Sequence, residues 1–389
     1  LYPNANMPTH GIFVETRLRQ LMAHESMESV VIAPVPYFPS SQKIFGRWAR
    51  LASVPSLQIQ HGIQVRHPRF VVVPKIGQLL TPKSLFLAAR RSLQELMATG
   101  YRPTLIDAHY LYPDGVAAVQ LGKVFQLPVV VTARGSDVTE WPDYRNCNRL
   151  IREAISNADA LIAVSSALGD GLKNLGADPE RITVLRNGVD TKRFFPIDYH
   201  EARKQLQLRR KMLLSVGHLI VRKGHDRVIR ALVELPEFEL MIVGDGPERT
   251  ALQRLAAALH VADRVHFVGG VVQGELPLYY SAAEALILAS SREGWANVLL
   301  EAMACGTPVI ASPISGNSEV VRKAEAGVIM KENSPAAIVE AVRGLLSKPP
   351  SRSETRRYAA AHGWQEISAG QRQVFEAVVK RDRPPNHLR

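Results

Sequence analysis

Two glutamates with seven residues between them, Glu293 and Glu301, stand at the ends of Glu293-Gly294-Trp295-Ala296-Asn297-Val298-Leu299-Leu300-Glu301, which continues through Ala302-Met303-Ala304-Cys305 to Gly306. The apolar positions Val298, Leu299 and Ala302 read as a helix, and Gly306 as its stop. If that helix opens near Asn297, its unpaired amide N–H groups and positive dipole end suit a phosphate. Glu301 then lies one turn further on, where a carboxylate can accept two hydrogen bonds from a ribose diol. Glu293, ahead of the helix, would face a sugar beyond that phosphate. The plainer alternative makes Glu301 an exposed helix acid and Glu293 a solvated loop acid. A second cluster is Ser215-Val216-Gly217-His218-Leu219-Ile220-Val221-Arg222-Lys223-Gly224. A strand ends there at Gly217, and the adjacent cations Arg222 and Lys223 are the fixed charges that a departing diphosphate requires. Read alone, it is more often a basic surface loop.

Other candidates lie in the first half. Gly11, in Pro8-Thr9-His10-Gly11-Ile12-Phe13-Val14-Glu15, would let the backbone approach a phosphate or sugar. His109 follows a strand in Asp107-Ala108-His109-Tyr110, where it is either an acceptor contact or proton relay, or a structural histidine. His61, His67, His218 and His225 lack acidic partners at metal-binding spacing, and no Asp-x-Asp metal motif is present.

These residues need scaffolds, and the chain supplies alternating strand and helix patterns. Val30–Ala33, Thr104–Asp107, Val129–Thr132 and Ala160–Val164 read as strands of one sheet. Met212–Val216, Leu240–Val243, Val265–Val268, Ala285–Leu288 and Pro308–Ala311 read as a second. The rhythm predicts two doubly wound parallel α/β domains facing a cleft, with ligands at the carboxyl ends of the strands. The boundaries follow as 1–190, 191–360 and a last helix with a basic tail over 361–389; the hinge falls at Arg186-Asn187-Gly188-Val189-Asp190, where Asn-Gly signals a turn. Helical spacing from about Trp364 to Val379 predicts that last helix. The chain opens on what reads as the end of a strand, so a truncated first strand is expected.

Its 389 residues carry a formal net charge of +12. Between Ser29 and Gln94 there is no acid, while Lys43, Arg47, Arg50, Arg66, Arg69, Lys75, Lys83, Arg90 and Arg91 alternate with aromatic residues. Residues 43–91 therefore suit an anionic membrane surface or a phosphate-bearing acceptor, or are scattered solvated cations; nucleic acid is the less favoured partner. Cys147 and Cys305, far apart, offer neither a disulfide framework nor a thiolate metal site, which fits a cytoplasmic protein, peripheral at the membrane if that surface is real.

The element Glu293 to Glu301, together with Arg222-Lys223-Gly224, Val243-Gly244-Asp245-Gly246-Pro247 and Pro308-Val309-Ile310-Ala311, resembles the family 4 group of retaining GT-B glycosyltransferases, of the kind that builds bacterial surface polysaccharides. The motifs occur in the family's order, and the resemblance covers nearly the whole chain. It implies transfer of a sugar from a nucleotide-diphosphate donor, a UDP-sugar above all, to a polysaccharide, lipid-linked or other acceptor, with retention and without a metal or cofactor. It also implies a final helix that returns to the N-terminal domain. Carried across, Glu301 takes the ribose, Glu293 the donor sugar, and Arg222 with Lys223 the diphosphate. Gly11, Gly217, Gly244, Val268, Asn297, Val298 and Leu299 complete the donor set. In Thr132-Ala133-Arg134-Gly135-Ser136-Asp137, Arg134 stands where the family has a histidine facing the sugar. An arginine stays protonated, so the role left for it is electrostatic. Asp137 is the family-like acid of that loop, or a helix cap. His218 stands where many members carry arginine. Two other classes remain open from sequence: a nucleotide-sugar epimerase of the same fold, and a noncatalytic nucleotide-sugar sensor.

Overall fold

The computed structural model describes residues 1–8, 10–42, 44, 46–72 and 77–382, so Thr9, Lys43, Lys75 and the basic tail 383–389 lie outside the described residues. It divides into two α/β units, Leu1–Arg186 with Gln365–Arg389, and Asn187–Trp364.

In the Asn187–Trp364 unit, β-branched and aliphatic runs too apolar for a solvated face make six strands buried by helices on both sides. Their spatial order is Val265–Gly269, Phe238–Val243, Lys211–Val216, Ala285–Leu288, Val309–Ala311 and Gly327–Ile329, every pair parallel. The chain leaves Lys211–Val216 towards one edge and returns beside it as Ala285–Leu288, with Leu213 opposite Ala285. The loops that follow these two strands therefore diverge at a topological switch point, where open α/β sheets bind ligands.

The other unit holds a parallel sheet of Ile106–His109, Val129–Ala133, Ala160–Ala163 and Ile182–Val184. A smaller sheet has Val30–Ile32 parallel to Ile63–Arg66, with Leu57–Gln60 antiparallel to it. That antiparallel strand is one that the apolar runs of the sequence did not mark. His61 and Gly62, both at positive φ, close a two-residue hairpin without the Asn-Gly pair that marks such turns in sequence. The strand placed at Thr104–Asp107 starts two residues later and ends on His109. Strands Val30–Ile32 and Ile106–His109 both line a cavity of about 870 Å³ of mixed lining, with Leu21, Leu93 and Phe375 alongside Glu28, Asp107 and His109. The helix Ile12–His24 starts from Gly11 at φ 72°, where a Cβ would come within 2.9 Å of the backbone of Leu1 and Tyr2. The last helix, Trp364–Asp382, packs Phe375 and Val378 against Leu21, Val130 and Ile162, and its Arg372 pairs with Glu25 at 2.7 Å.

The basic window is not one solvated face. Arg69 spends its guanidinium on the carbonyls of Leu51, Ala52 and Val54, and Arg66 faces Glu95 at 3.8 Å. Arg50, Lys83, Arg90 and Arg91 are exposed. Nine of the fifteen exposed large apolar side chains among the described residues, Ile44 and Trp48 included, fall between Tyr37 and Leu87. No helix among the described residues is long and apolar enough to cross a membrane.

Candidate functional site

Three strand ends of the Asn187–Trp364 unit are tied side by side through glycines. Gly217 N–H donates to Val243 O at 2.9 Å, and Gly244 N–H to Gly269 O at 2.8 Å. A Cβ on Gly244 would lie 1.9 Å from Gly217 O, and its φ of 144° belongs to glycine, so no other residue fits. A Cβ on Gly217 would meet the Lys223 stem, which lies over it at 3.5 Å. Lys223 Nζ then reaches Glu293 Oε1 at 2.6 Å, with both side chains more than four-fifths covered. Arg222 lies on the same seam: its Nη1 donates to Arg292 O at 3.2 Å and its carbonyl accepts from Ser291 N–H at 2.9 Å. The expected phosphate cation and the expected sugar acid thus form an ion pair. Val268 is the half-buried penultimate residue of its strand, and the carbonyl beside it, Phe267 O, accepts from Arg249 Nη2 at 3.2 Å.

The helix runs Asn297–Ala304. Leu299, Leu300, Ala302, Met303 and Ala304 are buried, while Asn297, Val298 and Glu301 share its less covered face, as spacings of three and four residues require. Leu299 also donates its N–H to Ala296 O at 3.1 Å, so it is a packing residue in this conformation. Asn297 Oδ1 accepts from Asn187 Nδ2 at 3.1 Å. Glu301 Oε2 accepts from Tyr280 OH at 2.8 Å. Burial pushes the Glu301 carboxyl up to about 7, even though the Tyr280 hydrogen bond and the Arg193 charge favour the ionised form. Among the described residues no group of three or more His, Cys, Asp and Glu side chains could hold a metal.

In the other unit the candidates gather at the ends of Ile106–His109 and Val129–Ala133, neighbours with His109 opposite Thr132. Arg134 is 7% exposed, lies 5.3 Å from the Phe13 ring centroid, and donates from Nη2 to His109 Nδ1 at 3.1 Å. Guanidinium has no acceptor, so Nδ1 accepts and the neutral ring carries its proton on Nε2, 3.6 Å from Asp107 Oδ2. Burial, then the Arg134 and Arg17 charges, hold the His109 pKa well below its ordinary value. Asp137 is wholly buried and accepts backbone N–H groups of Gly135 at 2.7 Å, Leu111 at 2.9 Å and Arg134 at 3.1 Å. Here it shapes the loop instead of presenting a carboxylate to an acceptor. Gly11 sits at its own helix start, as described above.

Several neighbours of these residues carry no sequence signal for the role. Tyr280 lies 21 positions from Glu301. Arg193 acts on Glu301 only through space. Gly316 abuts Glu293 so closely that a Cβ would lie 2.4 Å from its carbonyl oxygen. Asn187, read as a hinge turn, is 4% exposed and faces Asn297.

Residues 198–362 match the family described as Glycosyl transferases group 1, and residues 19–193 match Glycosyltransferase Family 4. The chain is 29% identical over 354 residues to the putative teichuronic acid biosynthesis glycosyltransferase TuaC of Bacillus subtilis (strain 168), covering 88% of this chain and 86% of that protein. It is 37% identical over 345 residues to the D-inositol 3-phosphate glycosyltransferase of Acidothermus cellulolyticus (strain ATCC 43068 / DSM 8971 / 11B), covering 82% and 76%. The fold matches Anabaena Alr3699/HepE, solved in complex with UDP, with a TM-score of 0.69 at 21% identity over 82% of this chain and 87% of that one.

Proposed function

From a chain that belongs to the family 4 glycosyltransferases, GT-B enzymes that move a sugar from a nucleotide-sugar donor, we infer how its own side chains divide the work. The Asn187–Trp364 unit binds the donor. Arg222, Lys223 and the amide end of the helix Asn297–Ala304 take the diphosphate, Glu301 the ribose and Glu293 the sugar. The observation that carries this reading is the Lys223–Glu293 pair, 2.6 Å apart over Gly217 at the switch point of the sheet. Arriving diphosphate competes for Lys223 and releases Glu293 towards the sugar. As the bond from the anomeric carbon to the diphosphate oxygen breaks, the leaving group keeps the electron pair, and the two fixed cations stabilise its charge. The acceptor hydroxyl passes its proton to the departing diphosphate oxygen and forms the new glycosidic bond, with retention of configuration. With cations of its own at the diphosphate, the enzyme works without a metal.

The Leu1–Arg186 unit serves the acceptor. Arg134 stands there as a permanent charge, and His109 beside it is neutral. UDP is the proposed nucleotide, since the fold neighbour was solved with it, and a surface glycan or its lipid-linked precursor is the proposed acceptor, since TuaC is named for teichuronic acid biosynthesis. The relatives are glycosyltransferases, which favours transfer over the epimerase and sensor readings. Incubation with UDP-sugars, with and without a glycan acceptor, tests this directly. Acceptor-dependent UDP release supports transfer; an epimerised donor, or binding without turnover, overturns it.

A second reading rests on the apolar side chains exposed between Tyr37 and Leu87 beside Arg50, Lys83, Arg90 and Arg91. Exposed apolar groups among cations suit the interfacial zone of an anionic bilayer. The enzyme then works as a peripheral protein on the cytoplasmic face, where a lipid-linked acceptor is presented.

A further inference from the structure

The last helix sends one polar side chain into the interior of the Leu1–Arg186 unit. Gln371 is 1% exposed. Its Oε1 accepts from Arg17 Nε at 2.7 Å, and its Nε2 donates to Asp107 Oδ2 at 3.2 Å. The amide orientation follows from chemistry, because guanidinium only donates and carboxylate only accepts. Glutamine supplies one acceptor and one donor at that reach without adding charge. A glutamate would satisfy Arg17 and lose the bond to Asp107; a leucine would lose both.

Asp107 depends on that bond. Its Oδ2 lies 3.6 Å from His109 Nε2, and its other oxygen is buried without a hydrogen-bond partner among the described residues. His109 in turn accepts from Arg134 at 3.1 Å. Arg17 is itself 1% exposed and also donates to Leu185 O at 3.2 Å, so it is a rigid anchor. The contacts form one line: Arg17, Gln371, Asp107, His109, Arg134. Two buried guanidinium groups, at Arg17 and Arg134, act on the Asp107 carboxylate through space, and its placement sets the field that the imidazole feels.

We propose that Gln371 is a positioning residue for the transfer reaction, holding Asp107 so that the His109 ring and the Arg134 guanidinium keep their working orientation. This rests on the reading that His109 and Arg134 serve the reaction. The last helix therefore does more than cover the core with Phe375 and Val378: it carries one end of the polar line behind the acceptor side.

A double-mutant cycle in the full chain tests it, with Gln371→Leu, His109→Gln and the pair, read out by kcat, UDP affinity and the NMR resonances of the His109 imidazole. Gln371→Leu is expected to lower kcat by about tenfold, within the cost of misplacing a group in an active site, and to leave UDP affinity unchanged. The kcat losses of Gln371→Leu and His109→Gln should not multiply in the pair, and the His109 resonances should move in Gln371→Leu. Gln371→Glu keeps the Arg17 contact and stands in if the leucine variant does not fold; it should also lower kcat and move the resonances. Multiplicative losses, or unmoved resonances in a folded variant, overturn the proposal. If His109→Gln turns over like the wild type, the functional reading of His109 fails by itself, and the resonances alone decide whether Gln371 positions the ring.

Discussion

Replacing Glu301 by glutamine should stabilise the protein while it weakens the donor site, and the size of that effect should follow pH. Burial holds the Glu301 carboxyl near 7 in the fold, against an ordinary value of 4.5. Below 4.5 the folded and unfolded chains are both protonated here, and the group costs nothing. Between 4.5 and 7 the unfolded chain ionises first, so stability falls as pH rises, and above 7 the full penalty is present. Keeping that carboxyl ionised in the fold costs about 3 kcal/mol at pH 8, falling to about 1 kcal/mol at pH 5. Glutamine keeps the shape and an acceptor for Tyr280 OH and removes the charge. Denaturation midpoints of wild type and Glu301→Gln, compared from pH 5 to 8, should therefore diverge in the variant's favour as pH rises. Ribose hydroxyls bind best to the ionised form, so UDP affinity of the wild type should rise from pH 6 to 8 with proton release, and Glu301→Gln should bind weakly at every pH. A stability difference that is flat in pH, or a variant less stable at pH 8, would refute the burial argument. Unchanged UDP affinity in the variant would remove Glu301 from the donor site.

Lys223→Met strands Glu293 without its partner; a loss of about 2 kcal/mol in stability and at least about tenfold in UDP affinity is expected by denaturation and calorimetry, and unaltered UDP binding would detach Lys223 from the diphosphate. Glu293→Gln should lower kcat far more than it weakens UDP binding, the pattern of a charge used at the transition state. Gly244→Ala, forcing a Cβ to within 1.9 Å of Gly217 O, should cost about 3 kcal/mol or more, whereas Gly270→Ala, with nothing within 4 Å, should stay within about 0.5 kcal/mol; equal effects would deny the tight seam. Turnover should survive exhaustive EDTA treatment, and activity restored by Mg²⁺ or Mn²⁺ would break the metal-free mechanism. Binding to anionic vesicles should fall with rising salt and fall again when Arg50, Arg90 and Arg91 are neutralised together, whereas equal binding to neutral vesicles would count against the membrane surface.

What is local was legible before folding. Strand runs such as Leu240–Val243 and Ala285–Leu288, the helix start at Asn297 and its stop before Gly306 are written in apolar spacing and in glycine, because burial and backbone freedom act over a few residues. The spacing of Glu293 and Glu301 places them ahead of a helix and one turn inside it, and the pair Arg222-Lys223 marks a cationic loop. Partnership across the chain was decided by tertiary structure. Lys223 meets Glu293, 70 positions away, because Lys211–Val216 and Ala285–Leu288 are neighbours in the sheet, an order that no local pattern encodes. Asp137 could be read as a cap or an acceptor ligand until three backbone N–H groups were seen to converge on it. Tyr280, Asn187, Arg193 and Gln371 gave no sign in sequence, since a polar side chain acquires its role from what surrounds it once buried, and burial is a property of the folded chain.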